Sequence, residues 1–211
     1  MTVDGKVAKF INGDLTKPAE TKSFVEQGIK HFGQIDILVN NAGIQHINAV
    51  EDFPEDMWEK VIALNLSSNF YTTKYALPQM KQRGWGRIIN IASVHGLVAS
   101  VNKSAYIAAK HGVVGFTKAI ALENAKTGVT CNSICPGFVL TPLIEKQIEI
   151  KAQNNKVSLE EARRILIEEK QPSGNFSLPE DIGALAVYLC TNYARQVQGA
   201  SYTVDGGWTV Q

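Results

Sequence analysis

Ile89-Asn90-Ile91-Ala92-Ser93-Val94-His95-Gly96, followed closely by Ser104-Ala105-Tyr106-Ile107-Ala108-Ala109-Lys110, reads as a buried strand, a turn and the opening of a long helix. The apolar, β-branched run carries Ser93 out of the strand end. Tyr106 and Lys110 lie four apart, so on a helix they share a face and the ammonium can sit beneath the phenol. A free phenol has a pKa of about 10. A positive charge about 4 Å away, at an effective dielectric of about 20, favours the phenolate by about 4 kcal/mol, or roughly 3 pK units. That is expected to bring Tyr106 near neutrality as a proton relay, with the Ser93 hydroxyl donating to the same substrate oxygen. An isolated Tyr-x-x-x-Lys arises by chance in about half of chains of this kind, so the flanking sequence has to carry the reading.

On the N-terminal side, Val7-Ala8-Lys9-Phe10-Ile11 reads as a short strand ending at Asn12-Gly13-Asp14. A helix is expected over 18–32, with Pro18 in its first turn and Gly33 after its end. A strand of continuous apolar character spans 35–39, as in a sheet covered on both faces. A long helix starts at Pro54 and runs to about Arg83, followed by a strand over 86–92. On the C-terminal side a helix spans about 104–126 and a strand 129–135, broken by Pro136-Gly137. The segment 141–173 is polar and helical in pattern, with a capping box at Ser158-Leu159-Glu160-Glu161. A second box at Ser177-Leu178-Pro179-Glu180 opens a helix ending near Cys190, and 200–204 is the last strand. No repeat, low-complexity tract or linker divides the chain. One domain over 1–211 is expected, α/β in class, with a doubly wound parallel sheet.

The 211 residues suffice for a substantial core, and the formal net charge of +1 points to no nucleic-acid or anionic membrane partner. The three cysteines, Cys131, Cys135 and Cys190, have no metal-ligand spacing, and no metal is expected. They read as buried free thiols in a reducing, cytoplasmic compartment. No apolar run reaches the length of a membrane span.

Asn40-Asn41-Ala42-Gly43, Asn65, Ser93, Tyr106-x-x-x-Lys110 and Pro136-Gly137 occur in the order and spacing of the short-chain dehydrogenase/reductase family, which the chain resembles over nearly its whole length. The runs 41–46, 88–118 and 204–209 resemble the members that act on a short 3-hydroxy acid. The resemblance implies NAD as cofactor and reversible oxidation of D-3-hydroxybutyrate to acetoacetate. It assigns Asn65, Ser93, Tyr106 and Lys110 to catalysis, with Asn65 kinking its helix and holding a water that links Lys110 to solvent. Asp14, Leu15, Asn41, Gly43, Tyr106, Lys110, Val139 and Thr141 would hold the cofactor. Gln45, Ser93, His95, Lys103, Tyr106, Gln147 and Trp208 would hold the substrate, its carboxylate on the cationic and amide groups and its methyl against Trp208. Each of the last set has an ordinary alternative: a surface lysine, a solvated glutamine, a C-terminal tryptophan in packing. A homotetramer is implied, joined in part through the helices that carry Asn65 and Tyr106.

The chain departs from the family in one respect. After Gly13 no glycine occurs until Gly28, so the expected Gly-rich phosphate loop has no counterpart, and Asp14-Leu15 is assigned to the end of the family's third strand. On this reading the first two strands, about fifty residues of the usual fold, are missing. Two expectations follow: an active tetrameric dehydrogenase, or a silent truncated homologue that associates with other subunits and binds NAD weakly or not at all.

Overall fold

In the computed structural model, which describes residues 2–3 and 6–210, the chain is built on a four-stranded parallel sheet with helices on both faces. In chain order the elements are β1 (Thr2–Val3), β2 (Lys6–Val7), α1 (Pro18–Phe32), β3 (Ile37–Asn40), α2 (Glu55–Ile62), α3 (Ser68–Arg83), β4 (Gly86–Ile91), α4 (Ser104–Glu123), β5 (Val129–Pro136), α5 (Pro142–Asn155), α6 (Leu159–Glu168), α7 (Pro179–Cys190) and β6 (Ser201–Val204). The sheet order is β3-β4-β5-β6. Helices α1, α3 and α4 cover one face, where Val25, Met80, Ile88, Ile120 and Val129 form a core; on the other, α7 packs Leu189 against Ile89 and Ile134.

Strand burial follows position in the sheet. β5 is buried throughout, its Thr130, Asn132 and Ser133 included, and β4 in all but its last residue, because each pairs on both sides, whereas β3 pairs on one side only. Its Ile37 and Val39 are 44% and 47% exposed, where the continuous apolar character of 35–39 suggested cover on both faces. The register sets Asn40 beside Asn90 and Ile91 beside Ile134. β3 and β4 therefore end within a residue of each other and β5 runs two residues further, to Pro136, and the loops after them meet at one edge of the sheet, where ligands bind in such folds.

Several boundaries differ from the sequence expectation. The strand expected over 7–11 is absent: β2 ends at Val7 and pairs only with β1, in a separate antiparallel ribbon. Asp14 and Leu15 thus follow no strand of the main sheet. Asp14 instead accepts the N–H and hydroxyl of Thr16 in a turn ahead of α1, at 3.0 and 2.7 Å. The helix expected from Pro54 to Arg83 is interrupted at Ala63–Ser67 by a wider π-type segment centred on Asn65, the kind of bulge that collects at functional sites. The cap of α7 lies one residue later than read: the Asp181 carboxylate accepts the Leu178 N–H at 2.7 Å. At α6 the Ser158 hydroxyl accepts from the Glu161 N–H at 3.1 Å, as the capping box requires. Gly96 permits one close approach that the site depends on. A Cβ there would stand 2.8 Å from the Lys110 carbonyl oxygen, so only a glycine lets the turn after β4 seat Ser93 against α4.

Candidate active site

A cavity of about 240 Å³ opens at the carboxyl edge of the sheet, and its walls come from six places in the chain. The loop after β3 supplies Asn41, Gly43 and Gln45; the turn after β4 supplies Ser93 and His95. Helix α4 brings Tyr106 and Lys110 and its N-cap residue is Lys103; the loop after β5 brings Gly137, Phe138, Val139 and Thr141, and α5 and the turn after β6 add Gln147 and Trp208. Every sequence-assigned residue lines this one cavity except Asn65, Asp14 and Leu15.

Ser93 caps the short turn that follows it. Its Oγ accepts the His95 N–H at 3.1 Å and lies 3.5 Å from His95 Nδ1. With a lone pair engaged by the backbone, its hydroxyl hydrogen is directed toward the Tyr106 phenol in the cavity. The ring of Tyr106 meets His95 edge-on at 6.0 Å, His95 meets Trp208 at 5.4 Å, and Trp208 lies 4.9 Å from Phe138. These four rings make an aromatic wall around the reactive hydroxyls.

Burial decides the charges. His95 is buried, and burial, then the positive charge of Lys103, pushes its pKa down to about 4. The imidazole is therefore neutral at physiological pH, a hydrogen-bonding group with one donor and one acceptor. Its Nε2 lies 3.0 Å from the Ser100 hydroxyl. Burial also lowers Lys103, and the charge of Lys170 adds to the effect. Lys110 is brought down to about 8, first by burial, while Cys135 opposes.

Tyr106 corrects the sequence expectation. Its phenol lies above the ordinary value, raised by burial, with the hydrogen bond to Ser93 acting against that. The Lys110 Nζ donates to the Ile91 carbonyl at 2.7 Å and lies 5.6 Å from the Tyr106 ring centroid. The cation lies over the ring face, and desolvation of the phenol is the larger effect.

Asn65 is buried and does not line the cavity. Its Nδ2 donates to the Ile44 carbonyl at 2.8 Å and its Oδ1 accepts the Ile44 N–H at 2.9 Å. The side chain clamps the loop that carries Asn41, Gly43 and Gln45. Asn65→Ala leaves both backbone groups of Ile44 without their partner, at about 1 kcal/mol for each bond. A loss of about 2 kcal/mol is expected in urea unfolding, as a lower midpoint at unchanged slope.

Room for a flat, polar ligand exists beside these groups. A Cβ on Gly43 would come within 3.4 Å of Asn65 Oδ1 and 3.9 Å of Lys110 Nζ, and Asn41, Gly43 and Lys110 line the cavity together. The donor set of ammonium, amide and backbone there suits a ribose and a carboxamide. Asp14 and Leu15 lie outside the cavity walls. Sequence reasoning missed the positions that shape the site without polar function, among them Phe138, Leu143 and Ile144. The only signal for Leu143 and Ile144 was apolar character in a segment read as polar, and for Phe138 its place after Pro136-Gly137. Among the described residues no group of three or more His, Cys, Asp or Glu side chains could hold a metal ion, and no helix is long and apolar enough to cross a membrane.

Comparison with known proteins adds three findings. The family model described as short chain dehydrogenase matches residues 2–152. The chain is 59% identical over 202 residues to a D-beta-hydroxybutyrate dehydrogenase of Cupriavidus necator, covering 96% of this chain and 78% of that protein. It is 49% identical over 217 residues to one of Rhizobium meliloti, covering 100% of this chain and 84% of that protein. Two solved structures superpose with a TM-score of 0.87. One is an actinorhodin polyketide ketoreductase variant with NADPH, at 37% identity over 93% of this chain and 76% of that one. The other is levodione reductase, at 32% identity over 97% and 78%.

Proposed function

The chain belongs to the short-chain dehydrogenase family and is an oxidoreductase, and on that premise we propose that it interconverts D-3-hydroxybutyrate and acetoacetate with NAD as hydride acceptor. The observation that carries the proposal is a single cavity that holds two sets of side chains at once: Ser93, Tyr106 and Lys110 for the reacting oxygen, and Gln45, His95, Lys103 and Gln147 for a carboxylate. When bound, the nicotinamide would accept the hydride from the carbinol carbon. Asn41, Gly43, Lys110, Val139 and Thr141 are the residues that would hold that end of it, with Tyr106 close by.

The chain's own groups divide the remaining work. Tyr106 exchanges the hydroxyl proton: its raised phenol is the donor for acetoacetate reduction, and it must lose that proton for oxidation. The Ser93 hydroxyl donates to the same oxygen and steadies its developing charge. Lys110 supplies a buried positive charge behind the ring. For the carboxylate, Lys103 offers an ammonium, His95 a neutral N–H, and Gln45 and Gln147 their amides. Gln147 Nε2 donates to Gln45 Oε1 at 3.3 Å, so these two reach across the cavity to each other. Trp208 closes the apolar side.

The closeness of two relatives named D-beta-hydroxybutyrate dehydrogenase supports this substrate. A groove between α3 and α4, lined by Phe70, Leu77, Phe116 and Ile120, supports association through those helices into a homotetramer. Three cysteines free of disulfides fit a cytoplasmic enzyme.

The test is steady-state oxidation of D-3-hydroxybutyrate against a simple secondary alcohol of equal length, with NAD and with its 2′-phosphorylated form. A marked preference for the acid and for NAD is expected. Lys103→Ala should raise KM for the acid by about 10- to 100-fold, the loss of one charge-assisted contact of about 1.5–3 kcal/mol. Equal turnover of acid and alcohol would remove the carboxylate reading.

A further inference from the structure

Gln171 lies between the end of α6 and Pro172, where a polar residue would ordinarily face water, yet it is 1% exposed. Both ends of its amide are bonded. Oε1 accepts the Phe138 N–H at 3.0 Å, and Nε2 donates to the Asn175 carbonyl at 2.6 Å. The amide is held between two glycines: a Cβ on Gly137 would stand 2.7 Å from Gln171 Oε1, and one on Gly206 would stand 2.6 Å from its Cγ. Gly137 opens the loop that forms one wall of the cavity, ending in Val139 and Thr141. Gly206 lies in the turn that delivers Trp208 to the cavity, and the Ser173 N–H donates to the Gly206 carbonyl at 2.9 Å. One buried side chain therefore touches the backbone of both walls, while it does not itself line the cavity.

We propose that Gln171 is a positioning residue which fixes the separation between the Phe138–Thr141 wall and Trp208, and so limits the length of hydroxy acid that the cavity admits. The size limit rests on the hydroxy-acid reading above; the geometric role does not. A buried amide bonded at both ends resists displacement, because each freed group is left without water. An apolar residue of similar volume would fill the space but release the Phe138 N–H, and the wall would be free to shift. Phe138 and Trp208 are in ring contact, so a shift of one is felt by the other.

The experiment uses the full chain with Trp58→Phe and Trp85→Phe, which leaves Trp208 as the single tryptophan of the three. In that parent, Gln171→Leu is expected to shift Trp208 emission to the red and make it more readily quenched by acrylamide. It should also raise the kcat/KM ratio of 3-hydroxyvalerate to 3-hydroxybutyrate by about tenfold, the discrimination one methylene provides in an apolar pocket, mainly through KM. Gln171→Glu keeps an acceptor for the Phe138 N–H and loses the donor to Asn175. It should give a smaller red shift that recedes as the pH falls and the carboxyl regains a proton to donate. A folded Gln171→Leu with the parent's emission or the parent's substrate ratio overturns the proposal. Should Gln171→Leu fail to fold, Gln171→Glu decides alone, and emission equal to the parent's at every pH overturns it. A parent that oxidises neither acid sinks the substrate reading, and Trp208 emission then judges the positioning role by itself.

Discussion

Tyr106→Phe is expected to lower kcat by roughly 10²- to 10⁴-fold, the range over which a positioned acid–base group contributes, with little change in KM. The substitution removes one oxygen and keeps the ring, so the edge-on contact with His95 and the Lys110 ammonium over the ring face both persist. Its effect is thus confined to the proton. Because burial holds the phenol above its ordinary value, the resting group at neutral pH is the protonated form, ready to donate in the direction of reduction. Oxidation requires the phenolate, so its rate should climb as pH rises into the alkaline range while reduction slows. That alkaline climb should vanish in Tyr106→Phe. Steady-state turnover in both directions across pH checks this. Retention of more than about a tenth of kcat would take the proton-transfer role away from Tyr106.

Lys110→Met is expected to cost activity on a similar scale, about 10²-fold or more in kcat/KM, while leaving stability nearly unchanged. The two effects separate because burial disfavours the ammonium. A folded pKa of about 8 against an ordinary 10.5 corresponds to about 3 kcal/mol of differential interaction between the charged and neutral forms. Removing the charge relieves that cost. Against this, the Ile91 carbonyl loses the donor it holds at 2.7 Å, at about 1–3 kcal/mol. The sign with pH follows from proton binding. Between about pH 8 and 10.5 the unfolded chain keeps the Lys110 proton and the folded chain does not, so wild-type stability gains with rising pH in that window and loses the gain as pH falls back through 8. Lys110→Met should lack this contribution. Urea midpoints of the two proteins across pH 7–10.5 measure the difference, and parallel curves would mean that the ammonium is not buried at a cost.

Much of the site was legible because its central residues lie on one local unit. Ser93 at a strand end, a turn, and Tyr106 and Lys110 four apart on a helix fix one another's placement by the rise and repeat of those elements. A parallel sheet of buried strands placed the loops after β3, β4 and β5 at one edge, while the cofactor roles of Asn41, Gly43 and Val139 came from the family resemblance. The strand expected over 7–11, ahead of Asp14 and Leu15, does not form in the main sheet, because five residues ending in a turn carry no information on which edge accepts them.

The sequence by itself determined the class of fold, the edge of the sheet at which chemistry can occur, and the hydroxyl, phenol and ammonium that face one another there. These are short-range consequences of periodicity, turns and spacing. Only the tertiary structure decided that Asn65 clamps Ile44, that Gln171 is buried between two glycines, and that the phenol of Tyr106 is raised where a nearby lysine alone would lower it. The physical reason is common to all three. Hydrogen-bond partners 21 to 33 residues away and the desolvation of a group depend on what the whole assembled chain removes from water, and no local pattern reports that.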